Sequence, residues 1–336
     1  MRFGVYFDGS TCTGDIIKAA QAAEQAGITG LWFAQHMGYR EAFLSAATAA
    51  QATRHTTVVP VAITPYLWPP LPAAMSIATL AEIAPERAEV AVSVGNILNL
   101  GESGHEPVRP IKVMREYVYA LRALLAGDAV TLEGEIHQLR GAHMAFLEGI
   151  KVPIHIASTG SQMLELAGEI GDGVLLSAGL SLAATRHCLE RAAAGAQRRA
   201  RDPFAVRRVG LIFLYVSEDG EVAKATFLRK LAFLFRSRGH AENIKSSGLD
   251  IDHSAIIAAH ARRDFEGAVS LLPEKAVSVF GIAGTPNECR DRLQEYLAIG
   301  LDEIVISISG DLDENRLAFQ LLHEYNTVVS RQHVGN

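Results

Sequence analysis

Three times along the chain a helical run ends on glycine, crosses a short polar link and enters an apolar strand: AGITGLWFA, AGEIGDGVLLS and IGLDEIVISIS. This junction constrains the fold more than any other feature, because each copy marks one βα step of an internal repeat. Glycine supplies the left-handed residue that stops a helix. Strands that stay apolar through consecutive positions are buried on both faces, as in a parallel sheet.

The alternation runs from end to end. RFGVYF is the first strand and is followed by a helix from Gly14 or Asp15 to Ala26; GLWFAQ is the second, followed by a helix over roughly Glu41 to Thr53. The third strand spans Thr57 to Ile63, its helix Leu71 to Ile83, and the fourth strand Ala88 to Val94. ILNLGESGHEP reads as a loop, VRPIKVMREYVYALRALLAG as a long amphipathic helix, and VTLEGEIHQL as a hairpin around Glu133 and Gly134. PIHIAS, GVLLSA, VRRVGLIFLYV and DEIVISI are the fifth to eighth strands. Helices fall at SQMLELAGEI, at Leu182 to Arg199 and at Glu221 to about Arg236, and Ser237 to Arg263 reads as a largely helical insertion. The last helix carries a full start signal, with Thr285 as N-cap, Pro286 first and Glu288 third.

Eight such steps predict an α/β fold, a (β/α)8 TIM barrel with insertions, as one domain over 1–336. The insertions fall near 96–108, 128–150 and 237–263. The doubly wound dinucleotide fold is the weaker alternative, since FDGSTCTGD does not supply a Gly-x-Gly-x-x-Gly turn after the first strand.

Composition narrows the partners. An apolar fraction of 49%, 20% charged residues and a mean hydropathy of +0.15 describe a soluble chain with a generous core and exclude a disordered one. A net charge of −6 gives no electrostatic reason to expect nucleic acid or an anionic membrane. No signal peptide or membrane-spanning run is read, so the expectation is a cytoplasmic protein that takes a small-molecule substrate. Cys12, Cys188 and Cys289 are widely spaced and read as reduced thiols. The histidines show no metal-ligand spacing, and no metal is expected.

A barrel presents its chemistry at the carboxyl ends of its strands. The rim residues are Asp8, then Gln35 and His36, Thr64, Asn96 and Asn99, Ser158 to Ser161, Ser177 to Ser181, Ser217 and Glu218, and Ser307 to Gly310. His36 is the sharpest, because an imidazole there exchanges a proton near neutral pH; Asp8 has similar status, set against an ordinary Asp-Gly turn. ASTGSQMLELAG and SAGLS place hydroxyls and glycine before helices, where free N–H groups hold a phosphate or simply cap the helix. Gly-x-Ser-x-Gly, Walker and His-Glu-x-x-His motifs are absent.

Four segments carry a family resemblance: AEQAGITGLWFAQH, ITPYLWPPLPAAMSIATLAEIAPERAEVAVSVGN, KVPIHIASTGSQMLELAGEIGDGVLLSAG and GTPNECRDRLQEYLAIGLDEIVI. In this order the chain resembles the luciferase-like flavin and deazaflavin oxidoreductases, within them the methylenetetrahydromethanopterin reductase-like group that uses coenzyme F-420. The resemblance implies an F-420-dependent oxidoreductase moving a hydride between the cofactor and a small organic substrate. It implies His36, helped by Asp8, as the proton-handling group. Gln35, Thr64, Asn96 and Asn99 would meet the cofactor ring, Ala157, Ser158, Thr159 and Gly160 with Ser177, Ala178 and Gly179 its tail. A cis peptide not before proline is implied at Val61–Ala62, behind the ring. A homodimer is implied as well.

Three positions depart from relatives. Gln35 stands where many have an acid, Asn96 where the sugar-phosphate dehydrogenase branch has a carboxylate, and Leu180 where that branch has a phosphate-binding lysine. These argue against glucose-6-phosphate as substrate. The alternative readings are an FMN-dependent monooxygenase, which needs a separate flavin reductase and oxygen, and a non-catalytic flavin-binding protein.

Overall fold

The computed structural model describes residues 2–307 and 315–325. In chain order it begins β1 (Arg2–Phe7), α1 (Thr13–Gln25), β2 (Gly30–Ala34), α2 (Ala42–Ala52), β3 (Thr57–Val61), α3 (Pro70–Ile83), β4 (Val90–Val92), α4 (Ile97–Glu102) and α5 (Pro110–Leu125). A hairpin of β5 (Val130–Glu133) and β6 (Gln138–Ala142) follows, then β7 (Ile154–Ala157), α6 (Ser161–Ile170), β8 (Gly173–Leu176), α7 (Leu182–Arg198) and β9 (Arg207–Val216). The chain continues through α8 (Gly220–Leu234), α9 (Ala241–Ser246), α10 (His253–Ala261), α11 (Phe265–Ser270), α12 (Ala276–Phe280), β10 (Ile282–Gly284), α13 (Pro286–Leu297) and β11 (Glu303–Ser307), and 315–325 is helical.

The strands pair in the order β3-β2-β1-β11-β9-β8-β7-β4, all parallel. Parallel bridges from Val58 to Ala88 and from Ile63 to Val92 close the ring between β3 and β4. The fold is thus the expected (β/α)8 barrel. Between those two bridges β3 bulges, and the Val61–Ala62 peptide is cis.

Alternation along each strand divides the core. Phe3, Val5 and Phe7 point out to the helices, while Arg2, Gly4 and Tyr6 share the inward face. Inside the barrel Trp32, Val59, Val61, Ala91, Leu175, Val209 and Val305 pack together, with Tyr6, Ala62, Ala157 and Leu211 above them. A further cluster is built by α8 to α12 against Ala178 and Phe213.

The amino end of the barrel is floored by charge. Glu303, fully buried, accepts a hydrogen bond from Trp32 Nε1 at 3.0 Å and lies 3.6 Å from Arg207 Nη2 and 3.8 Å from Arg2 Nε. Gly30 makes room for it: a Cβ there would sit 2.5 Å from Glu303 Oε1. Glu89 receives both Arg207 guanidinium nitrogens and, at 2.8 Å, His155 Nε2. Burial alone would raise the Glu89 carboxyl, but the hydrogen bonds from His155 and Arg207 hold it down at about 2.

Two expectations need correction. The segment read as a loop from Asn96 contains α4, whose N-cap is the Asn96 side chain accepting from Leu98 N at 2.9 Å and whose buried Leu100 anchors it. Gly101 hides it in the sequence by lowering helix propensity. The helical insertion does not end at Arg263 but runs on through α11 and α12, and β10, three residues long, adds a strand beside β9. The predicted capping box at Thr285 is formed, both reciprocal bonds being present.

Candidate functional site

A cavity of about 320 Å³ opens at the carboxyl end of the barrel. Its floor is apolar, from Val61, Ala62, Leu175 and Leu211, and its edge is neutral and polar, from Gln35, Asn96, Asn99, Ser158, Thr159 and Ser177. Such a lining suits a flat amphipathic ring system whose faces are apolar and whose margin carries amide-type donors and acceptors.

His36 stands in the wall after β2. Its Nδ1 lies 3.2 Å from the Asp8 backbone carbonyl, which can only accept, so that nitrogen carries the proton. Nε2 is then the acceptor for the Tyr6 hydroxyl at 3.3 Å. Burial lowers the His36 pKa below the ordinary 6.5, opposed by the Asp8 carbonyl and carboxylate and assisted by the Lys230 cation. The Tyr6 phenol is pushed well up, by burial and then by the Asp8 charge. At neutral pH the pair is a neutral imidazole and a neutral phenol, both facing the cavity.

The other rim residues divide. Gln35 accepts from Ala42 N at 2.9 Å through Oε1, starting α2, while its own N–H donates to Val61 O at 2.6 Å. Thr64 donates to Val94 O at 2.7 Å, which ties the ends of β3 and β4. The Asn99 side chain has no hydrogen-bond partner among the described residues, so its amide is available to a ligand. Ala157, Ser158 and Thr159 line the cavity; Gly160 N-caps α6 instead, its N–H donating to Ser158 Oγ at 3.0 Å. Of the second loop only Ser177 lines it: Ala178 is buried under α8, and Gly179 O accepts from Asn243 Nδ2 at 2.7 Å. The Asp8 carboxylate turns away, accepting from Ser10 N at 2.9 Å and Ser10 Oγ at 2.5 Å. Ser217 and Glu218 do not line the cavity, Ser307 is buried in β11, and 308–310 lie outside the described residues.

Tyr6, Ser93, Trp68 and Leu211 line the site without having been singled out from the sequence. For Tyr6 the signal existed, since period two in RFGVYF puts it on the inward face with Gly4. Among the described residues no group of His, Cys, Asp and Glu could hold a metal ion.

The sequence pattern of the luciferase-like monooxygenases matches residues 7–303. The chain belongs to that family. It is 31% identical over 308 residues to a 5,10-methylenetetrahydromethanopterin reductase of Methanolobus tindarius, covering 91% of this chain and 93% of that one. It is 26% identical over 312 residues to an F420-dependent glucose-6-phosphate dehydrogenase of Mycolicibacterium gilvum, with 88% of each covered. The solved coenzyme F420-dependent tetrahydromethanopterin reductase of Methanopyrus kandleri superposes with a TM-score of 0.86 at 23% identity, over 96% of this chain and 97% of that one. Among the described residues no helix is long and apolar enough to cross a membrane.

Proposed function

We propose that this luciferase-like protein is an F420-dependent oxidoreductase acting on a small organic molecule. The observation that carries the reading is the cavity at the strand ends, where an apolar floor at Val61, Ala62 and Leu211 meets the neutral polar edge of Gln35, Asn99 and Ser158 beside His36. The relatives named above support the choice of F420 over FMN.

A deazaflavin held in the cavity supplies a two-electron hydride carrier. Val61, Ala62 and Leu211 would bear its ring face, Gln35, Asn96 and Asn99 its polar margin, and Ala157 to Thr159 with Ser177 its tail. His36 moves the proton that accompanies the hydride, through Nε2, with Nδ1 pinned by the Asp8 carbonyl so that the lone pair faces inward. The Tyr6 hydroxyl orients that ring and shares its proton. Asp8 acts through its carbonyl and charge on His36, not by contact with substrate. Leu180 is buried, which leaves no cation there for a sugar phosphate. The wider reading keeps one domain, a homodimer and a cytoplasmic location.

Titration of the purified apoprotein with F420 and with FMN, followed by fluorescence, tests the proposal. Micromolar binding of F420 is expected. Micromolar FMN binding without F420 binding would overturn it in favour of a flavin monooxygenase served by a separate reductase.

A further inference from the structure

We propose that Lys230 is the anion-reading residue of this site, so that the substrate carries a carboxylate or a similar anionic group seated across the cavity mouth from His36. The inference rests on the oxidoreductase reading for what the ligand is, but its geometry is independent of that reading.

Lys230 lies in α8, one turn before Leu234 and on the same helix face. Leu234 packs on the loop after β8: a Cβ added to Gly179 would lie 2.5 Å from its Cδ2. Lys230 Nζ stands 5.9 Å from the centre of the Phe213 ring. Ser177, just past β8, and Leu211, on β9, each two residues before these contacts, line the cavity. Lys230 does not itself line the cavity, and its ammonium lies behind the rim on the β8–β9 side. His36 follows β2, three strands from β9 and four from β8 in the ring, on the far side.

The lysine is half-buried, yet among the described residues no carboxylate lies within ion-pair distance of it and no hydrogen bond uses it. The other cations of α8, and Arg236 just beyond it, have contacts of their own. Lys224 meets Glu221 and Glu288, and Arg229 meets Glu266. Arg236 lies over the Phe233 ring and donates to Phe233 O at 2.6 Å. Among the described residues the cavity lining contains no carboxylate. A half-buried ammonium with no carboxylate beside it among the described residues offers an anion a charge-assisted hydrogen bond. The Lys230 charge also reaches His36, where it opposes protonation of the ring. A bound anion would cancel that effect, so substrate binding and the proton-holding capacity of His36 are linked through this residue.

The test uses benzoate and its neutral isostere benzamide as probes, added to the full chain with and without F420. Binding is read from the His36 ring C–H signals by NMR, assigned with His36→Asn. Benzoate is expected to bind about tenfold or more tighter than benzamide, as a charge-assisted pair requires. Lys230→Met should remove that preference, and Lys230→Arg should keep it. Equal affinities in the native chain, or a preference that survives Lys230→Met, would overturn the proposal. So would a Lys230→Met variant that binds F420 weakly but the tail-less deazaflavin headgroup normally, because the lysine would then serve the cofactor's own phosphate. If F420 fails to bind while the benzoate preference holds and depends on Lys230, the function reading falls and this inference stands.

Discussion

Replacing Arg207 by Met should destabilise the protein strongly while leaving its cofactor site intact. Arg207 gives both terminal nitrogens to Glu89 and lies 3.6 Å from Glu303, two carboxylates that are 6% and 0% exposed. Without it, Glu89 keeps only His155, and Glu303 keeps Trp32 Nε1 and a distant Arg2. Breaking one partner from a buried ion pair costs about 3 to 5 kcal/mol, since the remaining charge is left uncompensated. The Glu89 titration sets a ceiling that Arg207 shares with His155, whose hydrogen bond survives in the variant. Holding Glu89 at about 2 instead of the ordinary 4.5 corresponds to about 3 kcal/mol, present above pH of about 4.5 and lost as pH falls through about 2. In the variant Glu89 protonates at higher pH, so the difference from the native chain should be largest at pH 7 and smaller at pH 4. Urea unfolding followed by the fluorescence of Trp32, which sits in the network, measures both. A loss below about 1 kcal/mol at pH 7, or a difference that does not change with pH, would refute the reasoning. Unchanged F420 affinity is expected, because this network occupies the end of the barrel opposite the cavity.

His36→Ala should slow turnover about 10²-fold or more with cofactor affinity near normal, and unchanged turnover would reduce the residue to a wall of the pocket. Gly195→Ala should cost about 1 to 3 kcal/mol in urea unfolding, because its Cβ would fall 1.9 Å from Glu165 O and α7 must move off α6; a neutral result would show that the helices slide freely. His240 is drawn down to about 4 by burial and then by the charges of His253 and Arg236. The unfolded chain therefore binds its proton first, and stability should fall by up to about 3 kcal/mol between pH 6.5 and 4, a slope that His240→Asn should flatten.

Much of this was legible from residues. The glycine-ended junctions and apolar strands led to the barrel because local backbone needs and two-sided burial leave marks at fixed spacing. Thr285 with Glu288 wrote its own capping box within four residues. The Val61–Ala62 cis peptide was reached only through the family resemblance, since neither Val nor Ala carries a local sign of it. What escaped depends on distance along the chain. Glu89, His155 and Arg207 meet across separations of 66 and 118 residues, and no pattern in a linear reading joins them. Lys230 carries no mark of its own in the sequence, and the Leu234 contact with Gly179 fixes which way its face of α8 turns. The SAGLS loop offers an anion cradle on composition alone, but Asn243, 62 residues on, takes the Ser181 N–H at 3.1 Å through its Oδ1.

The segment from α8 to α12 leaves the barrel at the end of β9 and returns at β10, and the two anchor points are neighbours: Val216 pairs with Gly284, and Ser217 N donates to Gly284 O at 3.1 Å. Adjacent strands stand about 4.8 Å apart, so some sixty residues enter and leave the barrel at one place, and they pack back on it through Ala178, Phe213 and the Asn243 bond to Gly179. Transplanting the corresponding stretch from another member of the family between Val216 and Ile282 would replace the Lys230 side of the mouth while leaving His36, the β3 bulge and the charged floor where they are. If the roles proposed for His36 and Lys230 hold, such a chimera should change which substrate is taken while keeping the reaction.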